Sequence, residues 1–311
     1  MKRFKNILYF ADGATVGCSA LERAVQLAAA NQARLTVLDV VPEYDSKLEM
    51  GTLWGGDLEV IERENREAEL EDLIAGFQDA GIEIAKRVVR GIPFVEVIRA
   101  VLEDHHDLVV KAARPPDSFV KRVLGSTDLH LLRKCPCPIW IDQPGVAMPY
   151  RTVLAAVDPS DEEQDDSARL ILDLATSLAG REGAVFTVVH AWRLSGESML
   201  RSGRVKIPDD ELGHLLDEVR KQHTDRLGEI LTEYGMSADD ERVHLVKGEP
   251  APSIRAVSNE LDADLIVMGT LGRTGIPGFF IGNTAEEILQ TTHASVLAIK
   301  PTGFVSPLET K

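Results

Sequence analysis

Short apolar runs and longer amphipathic stretches alternate along this chain, and the same alternation occurs twice. Residues 7–12 read ILYFAD and residues 153–158 read VLAAVD, so each apolar run ends in an aspartate. A helical pattern follows each aspartate, and then come runs rich in β-branched residues, LTVL at 35–38 and VFTVV at 185–189. Short apolar runs bounded by turn residues are typical of buried β-strands. The pattern therefore predicts an internal repeat of strands and helices.

The two halves of the chain match each other more closely in the later part of the repeat. Residues 107–110 read DLVV and residues 264–267 read DLIV, continuous apolar runs that suit parallel strands buried on both faces. Each half then closes with a last helix and a last strand, PIWI at 138–141 and VLAI at 296–299. Strands that alternate with helices predict, in each half, an α/β Rossmann-like parallel sheet with helices on both faces and right-handed crossovers.

Each half also contains a long charged helix, predicted over Leu58–Ala80 in the first and Asp209–Tyr234 in the second. Gly81 and Gly235 follow these helices and are plausible stops, because glycine readily adopts the left-handed conformation that ends a helix. The glycine-rich segment 49–56 precedes the first long helix, and its sequence fits either a mobile flap or a connector.

The length of 311 residues supports two domains, since single domains usually span about 100–200 residues. The two halves meet at residues 142–150, DQPGVAMPY, a segment with two prolines and a glycine that reads as a linker. We therefore predict one domain over residues 1–145 and a second over residues 150–305. Hydrophobic residues make up 44% of the chain and charged residues 27%, as expected for globular domains.

Charge and cysteine content narrow the choice of compartment and partner. Fifty acidic against 34 basic residues give a net charge of −16, which repels polyanions, so nucleic acid is not an expected partner. No apolar run approaches the roughly 18 residues that span a bilayer, and the three cysteines do not suggest a disulfide framework. We expect a cytoplasmic protein with no membrane partner.

Two groups of residues invite a metal-site interpretation. Cys135-Pro136-Cys137 lacks the spacing that zinc sites usually have and has no second pair, so both cysteines are interpreted as structural. The acidic runs at 161–166 and 239–241 are interpreted as solvated surface. No metal site is predicted.

A glycine-rich loop follows the predicted strand at 264–267. Gly269, Gly272 and Gly282 are separated by two and then nine residues, and a predicted helix begins soon after the last of them. Glycines let a backbone approach a ligand closely, and the amides at a helix N-terminus attract anions. Such a loop can hold phosphates, although its spacing matches neither the Walker nor the Rossmann dinucleotide motif.

This spacing, within a repeat whose first strand is followed by Asp158, resembles the universal stress protein family. The duplicated arrangement, the TLGRTG sequence at 270–275 and the CPCP sequence at 135–138 are most similar to the tandem E-type branch found in bacteria. The resemblance covers about residues 3–142 and 150–302. It implies a five-stranded parallel sheet in each of two tandem domains and a stress-response role.

The resemblance also implies a ligand site in the second domain. In family members that bind ATP, the loop glycines contact the phosphates and the aspartate after the first strand contacts the adenosine. Asn283 stands where those members have Ser or Thr, and its amide is a bulkier donor than a hydroxyl. Thr284 either substitutes for that hydroxyl or caps the helix. The implied nucleotide-binding residues are Asp158, Ala191, Gly269, Gly272, Arg273, Gly282, Asn283 and Thr284, and Mg²⁺ is expected only together with a nucleotide.

The first half has lost most of this loop. By the same spacing, Ala112 and Pro115 occupy the first two glycine positions, which removes a close approach and a donor. Asp12 and the sequence GST at 125–127 remain, and Asp12 could equally cap the next helix. The first domain is not expected to bind ATP in the family manner.

The sequence thus predicts a binding or regulatory module with ATP as a candidate ligand, and not an enzyme, since no nucleophile elbow or residue to orient water is evident. Three alternatives stay open: a binder of an apolar or nucleotide-linked metabolite in a cavity lined by Phe279, Phe280 and Ile281, a weak ATPase, and a protein-interaction scaffold. Pairing of the strands at 138–141 and 296–299 would form a dimer-like arrangement within one chain. A further exposed surface leaves room for a homodimer.

Overall fold

The computed structural model describes residues 4–13, 19–42, 50–113, 125–159, 162–202, 207–270 and 281–309. Within these ranges, the side chains of residues 50–59 and 162–165 are not described. The chain divides into two compact units. The first unit comprises Met1–Val146, Thr270–Gly282 and Ser295–Lys311, and the second comprises Ala147–Gly269 and Asn283–Ala294.

The first unit alternates strands and helices, as the sequence pattern predicts. Its sheet has the order β3-β2-β1-β4-β5, with all neighbours parallel, and β10 pairs antiparallel with β5. The elements are β1 (Asn6–Phe10), α1 (Ser19–Asn31), β2 (Arg34–Val41), α2 (Met50–Ala75), β3 (Ile84–Arg90), α3 (Pro93–Asp104), β4 (Leu108–Ala112), α4 (Ser126–Lys134), β5 (Ile139–Asp142) and β10 (Ser295–Ile299).

The second unit repeats the same plan with four parallel strands in the order β9-β6-β7-β8. Its elements are β6 (Thr152–Ala156), α5 (Glu162–Glu182), β7 (Val185–Trp192), α6 (Glu197–Ser202), α7 (Asp209–Leu231), β8 (Val243–Lys247), α8 (Pro250–Glu260), β9 (Leu265–Gly269) and α9 (Asn283–Thr291). The predicted α/β class with mostly parallel sheets is confirmed.

The apolar runs of the sequence form the cores. Ile7, Leu8 and Tyr9 of β1 are fully buried, as are Leu265 and Ile266 of β9. Parallel strands covered by helices on both faces require such continuous apolar sequences. The core positions could therefore be predicted from the sequence.

In each unit, an aspartate at the equivalent position fixes the start of a central strand. Asp107, just before β4, accepts hydrogen bonds from the backbone amides of Lys5 and Asn6 at 2.6 and 3.1 Å. Asp264, just before β9, accepts equivalent bonds from the amides of Arg151 and Thr152 at 2.6 and 3.0 Å. Hydrogen bonds to a carboxylate are stronger than those between neutral groups, so each aspartate holds two neighbouring strands in register.

The long charged helices differ from their predicted limits. Helix α2 begins at Met50, so residues 50–56, predicted as a flap or a connector, belong to a helix. A glycine inside a helix costs only about 1 kcal/mol, and the many Leu and Glu residues that follow favour the helix. Gly81 and Gly235 have left-handed φ angles of 69° and 67° and end short 3₁₀ turns. The turn before Gly235 directly continues α7, whereas α2 ends earlier than predicted, at Ala75.

The predicted pairing of the two closing strands is also confirmed. Within the first unit, β10 pairs with β5 so that Val296 lies opposite Ile141 and Ala298 opposite Ile139. A strand edge left without a partner exposes its N–H and C=O groups. The pairing satisfies these groups along β5.

A buried charged network lies where β5 ends. Asp142 accepts hydrogen bonds from Arg23 Nε at 2.6 Å, Ser19 Oγ at 2.8 Å and Ser295 Oγ at 3.0 Å. Arg23 and Asp142 are both almost completely buried. Since a buried charge is tolerated only when it is paired and hydrogen-bonded, each of these groups depends on the others.

Lys300, the residue after β10, is a second buried charge in the first unit. Its ammonium group donates to the carbonyl oxygen of Leu132 near the end of α4 and lies 4.5 Å from the centre of the Phe304 ring. Burial lowers the pKa of Lys300 to about 8 from its ordinary value of 10.5. The charged form of this side chain therefore costs stability at neutral pH.

This lowered pKa predicts a pH dependence. Between about pH 8 and 10.5 the unfolded chain keeps the proton on Lys300 while the folded chain loses it, so the stability rises with pH in this window. Lys300→Met lacks this titrating group. Between about pH 8 and 10.5 we therefore expect the free energy of unfolding of the wild type to rise by on the order of 3 kcal/mol relative to that of Lys300→Met. Urea unfolding of both proteins at several pH values measures this, and a constant difference would contradict it.

Candidate functional site

The strand order of the second unit reverses at the carboxyl ends of its central strands, and we call this position its crevice. The chain leaves β6 towards β7 on one side, while β9 lies on the other side of β6, so the winding of the sheet reverses between β6 and β9. In open parallel sheets, ligands bind outside the carboxyl ends of the strands at such a reversal. Asp158 follows β6 and Gly269 ends β9, and the register places Ala156 beside Met268. Two of the sequence-predicted residues therefore flank this crevice.

Gly269 has room around it. A Cβ atom at this position would lie 3.9 Å from Cδ1 of Ile171, which is an ordinary van der Waals contact. Packing against α5 does not require a glycine here, so close approach of a ligand is a better explanation for the missing side chain.

The other predicted residues fall at several places. Ala191 lies near the end of β7, and Asn283 and Thr284 form the first turn of α9, so Thr284 lies inside the helix and does not cap it. Gly272 and Arg273 lie outside the described residues, as do Phe279 and Phe280. Ile281, the third residue of the predicted cavity lining, is buried.

The two ends of the loop that carries Gly272 are joined by a hydrogen bond in the first unit. The amide of Gly282 donates to the carbonyl oxygen of Thr270 at 2.8 Å. Thr270 is buried, and its amide and hydroxyl both donate to the carbonyl of Ile299 at 2.9 and 3.2 Å. The loop thus leaves and re-enters the fold at fixed backbone positions.

A histidine pair in the second unit was not predicted from the sequence. His190, buried in β7 beside Ala191, lies with Nδ1 3.0 Å from the Val157 carbonyl and with Nε2 2.8 Å from Nδ1 of His223. A carbonyl only accepts, so in neutral His190 the proton is on Nδ1 and His223 donates to Nε2. A polar residue inside the apolar run of β7 was the available signal. The pair ties β7 to α7 next to the crevice.

The equivalent strand-end position of the first unit holds a buried lysine. Lys111 of β4 is fully buried, and its ammonium group donates to Asp12 at 3.0 Å and to Asp128 of α4. Asp12 has a positive φ of 49°, and the Lys111 ammonium also lies 5.6 Å from the centre of the Phe10 ring. Asp12 is therefore an ion-pair partner of Lys111.

The two crevices differ at two equivalent positions. The strand registers place Lys111 beside Phe10 and Met268 beside Ala156, so Met268 is the counterpart of Lys111. The glycine before α4 precedes Asp128 by the same spacing as Gly282 precedes Ala285. Met268 and Ala285 are both buried. An ion pair in the first unit is thus replaced by an apolar pair in the second.

The structure describes one of the two positions at which the first unit has lost a loop glycine. Ala112, at the first lost glycine position, ends β4, whereas Pro115 lies outside the described residues. The glycine spacing predicted the loss at these two positions. Lys111 and Asp128, which occupy the crevice, were not predicted. A lysine inside the apolar run LVVKA was the signal that could have revealed them.

Neither a metal-binding cluster nor a membrane-spanning helix is present among the described residues. No group of three or more His, Cys, Asp or Glu side chains in this part of the chain is arranged to hold a metal ion. No helix within the described ranges is long and apolar enough to cross a membrane.

The fold and its crevices define a tandem α/β protein in which each repeat has one strand-end crevice. The model of the universal stress protein family matches residues 3–142 and 149–300. The chain therefore belongs to the universal stress protein family, which places it among stress-response proteins.

Similar proteins have the same tandem organisation. Universal stress protein E from Escherichia coli strain K12 is 30% identical to this chain, and the match covers 99% of this chain and 98% of that protein. Universal stress protein E from Photorhabdus laumondii is 29% identical over 99% of both chains. The crystal structure of a Pseudomonas aeruginosa protein of unknown function has a TM-score of 0.78 and 25% identity, and it covers 99% of this chain and 97% of its own.

Proposed function

We propose that this universal stress protein binds a nucleotide-bearing ligand, with ATP as the first candidate, in the crevice of its second unit. The observation that carries the proposal is the contrast between the two crevices. In the first unit the space is filled by Lys111 and its carboxylate partners. In the second unit the same positions hold Met268 and Ala285, and the strand beside them ends in Gly269.

The chemistry of the crevice suits such a ligand. Asp158 at the end of β6 can accept hydrogen bonds from ribose hydroxyls, and Gly269 lets the backbone approach a phosphate. Helix α9 begins at Asn283, and amides in the first turn of a helix attract anions. Gly272, Arg273, Gly282 and Thr284 complete the proposed set of ligand-binding residues. Mg²⁺ would enter only with the nucleotide.

The apolar pair favours one variation on this proposal. Met268 and Ala285 give the crevice buried surface that contacts a base or another apolar group, but they offer no donor to a phosphate. A nucleotide-linked or apolar metabolite is therefore the second candidate ligand.

We further propose that the protein acts by binding and not by turnover, in the cytoplasm, as a regulatory module. Phosphoryl transfer to water needs a group that orients the attacking water. Asp158 is the acid that flanks the crevice, and the ribose contact proposed for it would leave it turned away from a terminal phosphate. Release of phosphate from ATP by the pure protein would contradict this part of the proposal.

Isothermal titration of the whole chain with ATP and Mg²⁺ tests the ligand. We expect binding by the wild type at millimolar nucleotide or below, and at least a tenfold loss in Gly269→Asp, because a carboxylate repels phosphate and occupies the space beside the strand end (about 1.4 kcal/mol per tenfold). Ala112→Asp places the same charge at the equivalent end of β4 and should leave the affinity unchanged. Equal effects of the two substitutions, or no heat with the wild type, would overturn the ATP site.

A further inference from the structure

Two thiols lie in contact in the first unit, between the end of α4 and the start of β5. Cys135 and Cys137 are both buried, and their sulfur atoms are 3.6 Å apart. The amide of Cys135 donates to the carbonyl of Leu131 at 2.8 Å, which fixes the first cysteine to the end of the helix. A disulfide has a sulfur–sulfur distance of about 2.05 Å, so the two sulfur atoms would have to approach by about 1.5 Å to form a bond.

Two prolines hold the thiols in this arrangement. Pro136 lies between the cysteines and Pro138 follows the second one. A proline ring fixes φ near −65°, so the segment has little conformational freedom to lose when its ends are joined. The sequence therefore preorganises the two sulfur atoms for reaction with one another.

A buried positive charge accompanies the pair. The Lys300 ammonium group donates to the carbonyl oxygen of Leu132, one turn before Cys135. Burial alone would raise the pKa of the Cys135 thiol, but hydrogen bonds from Cys137 and the charge of Lys300 outweigh it and lower that pKa. The hydrogen bond to Cys135, together with burial, raises the pKa of Cys137 well above its usual value. The two thiols thus differ in acidity, and Cys135 is the more acidic of the pair.

We propose that Cys135 and Cys137 form a reversible disulfide on reaction with hydrogen peroxide, which gives the first unit a thiol redox function separate from the ligand crevice of the second unit. Cys135 is the attacking residue and Cys137 the resolving residue. Lys300 acts through Cys135 and is a positioning residue.

The reaction balances in two steps. The sulfur of Cys135 attacks one peroxide oxygen, the O–O bond breaks, and the departing hydroxide takes the thiol proton to give a sulfenic acid and water. The sulfur of Cys137 then attacks the Cys135 sulfur, the S–OH bond breaks, and a second water leaves with the proton of Cys137. Two thiols are oxidised and one peroxide is reduced, and a small-molecule thiol such as dithiothreitol reverses the change by exchange.

A metal site is a poorer interpretation of the same residues. Tetrahedral zinc sites need four ligands, and no set of three or more ligand side chains is arranged for a metal where the structure describes the chain. The Lys300 ammonium would also repel a cation beside the sulfur atoms. A positive charge stabilises a thiolate, however, and thiolates are the form that peroxide oxidises.

Mass spectrometry of the full-length Cys18→Ser protein tests the proposal directly, since this change leaves only the two cysteines of the pair. After hydrogen peroxide, we expect the peptide that contains Cys135 and Cys137 to lose the mass of two hydrogens and to resist alkylation. Dithiothreitol should restore both. Oxidation to sulfinic acid without a crosslink, or two thiols that still alkylate after the protein is unfolded, would overturn the proposal.

Two further variants test the roles of the residues. In Cys137→Ser the reaction should stop at a sulfenic acid on Cys135, which dimedone traps. Lys300→Met should slow crosslinking severalfold, because loss of the positive charge lowers the thiolate fraction of Cys135, whereas Lys221→Met, which removes an exposed lysine, should not. Equal rates in both lysine variants would overturn the role of Lys300.

Discussion

Replacement of Lys111 with methionine is expected to lower the free energy of unfolding by about 3–5 kcal/mol. The lysine is fully buried and pairs with Asp12 and Asp128, so its removal takes a buried positive charge away from both carboxylates. Methionine has nearly the volume of the lysine stem, so the loss would come from charge and not from a cavity. Urea unfolding at neutral pH, followed by circular dichroism, gives the change.

The second unit supplies the compensating variant. Met268 and Ala285 occupy the equivalent positions there, so Lys111→Met combined with Asp128→Ala recreates an apolar pair that this fold already accommodates. We expect the double variant to regain most of the stability, because replacement of a complete buried ion pair by apolar residues is often neutral. A remaining deficit would reflect Asp12, which keeps some access to water. A double variant as unstable as the single one would show that the unpaired charge is not the cause.

Replacement of Arg23 with methionine is the second substitution with a large expected effect. Asp142 would keep its bonds from Ser19 and Ser295 but lose its charge partner in a buried position, so we expect a loss of about 3 kcal/mol. Asp142→Asn in the same chain removes the stranded charge and should recover part of the loss. Thermal and urea unfolding of the three proteins measure both effects.

An exposed ion pair provides the matched control for Arg23. Arg63 and Glu67 form a contact of 2.8 Å on α2 with 69% and 41% of their side chains exposed. Exposed pairs at this helical spacing contribute about 0.3–0.5 kcal/mol, so Arg63→Met should change the stability very little. Similar losses in Arg23→Met and Arg63→Met would contradict the importance of burial.

The fold could be predicted from the sequence because its signals are local and occur twice. Continuous apolar runs such as the one at 264–267 indicate strands that are buried on both faces, and Gly81 and Gly235 indicate the ends of helical segments. The start of α2 at Met50 was missed, since three glycines in residues 50–56 argue against a helix when tertiary packing is not considered.

The candidate site was predictable only in part. Asp158 and Gly269 were predicted from the glycine-rich loop and from the resemblance to the universal stress protein family, and both lie at strand ends that meet at one edge of the sheet. Lys111 and Asp128 are 17 residues apart, and His190 and His223 are 33 apart, so no local pattern connects either pair. Ion pairs and hydrogen bonds of this kind depend on the tertiary fold, and the sequence shows only an unusual polar residue inside an apolar run.

The strand β10 has a consequence for the order in which the protein can be made. It belongs to the first compact unit, although it is encoded after almost all of the second. The N-terminus of a chain leaves the ribosome first, and domains usually fold as they emerge. The edge of β5 that pairs with β10 therefore stays unpaired until residues 295–299 have been synthesised, and an unpaired strand edge is a template for aggregation.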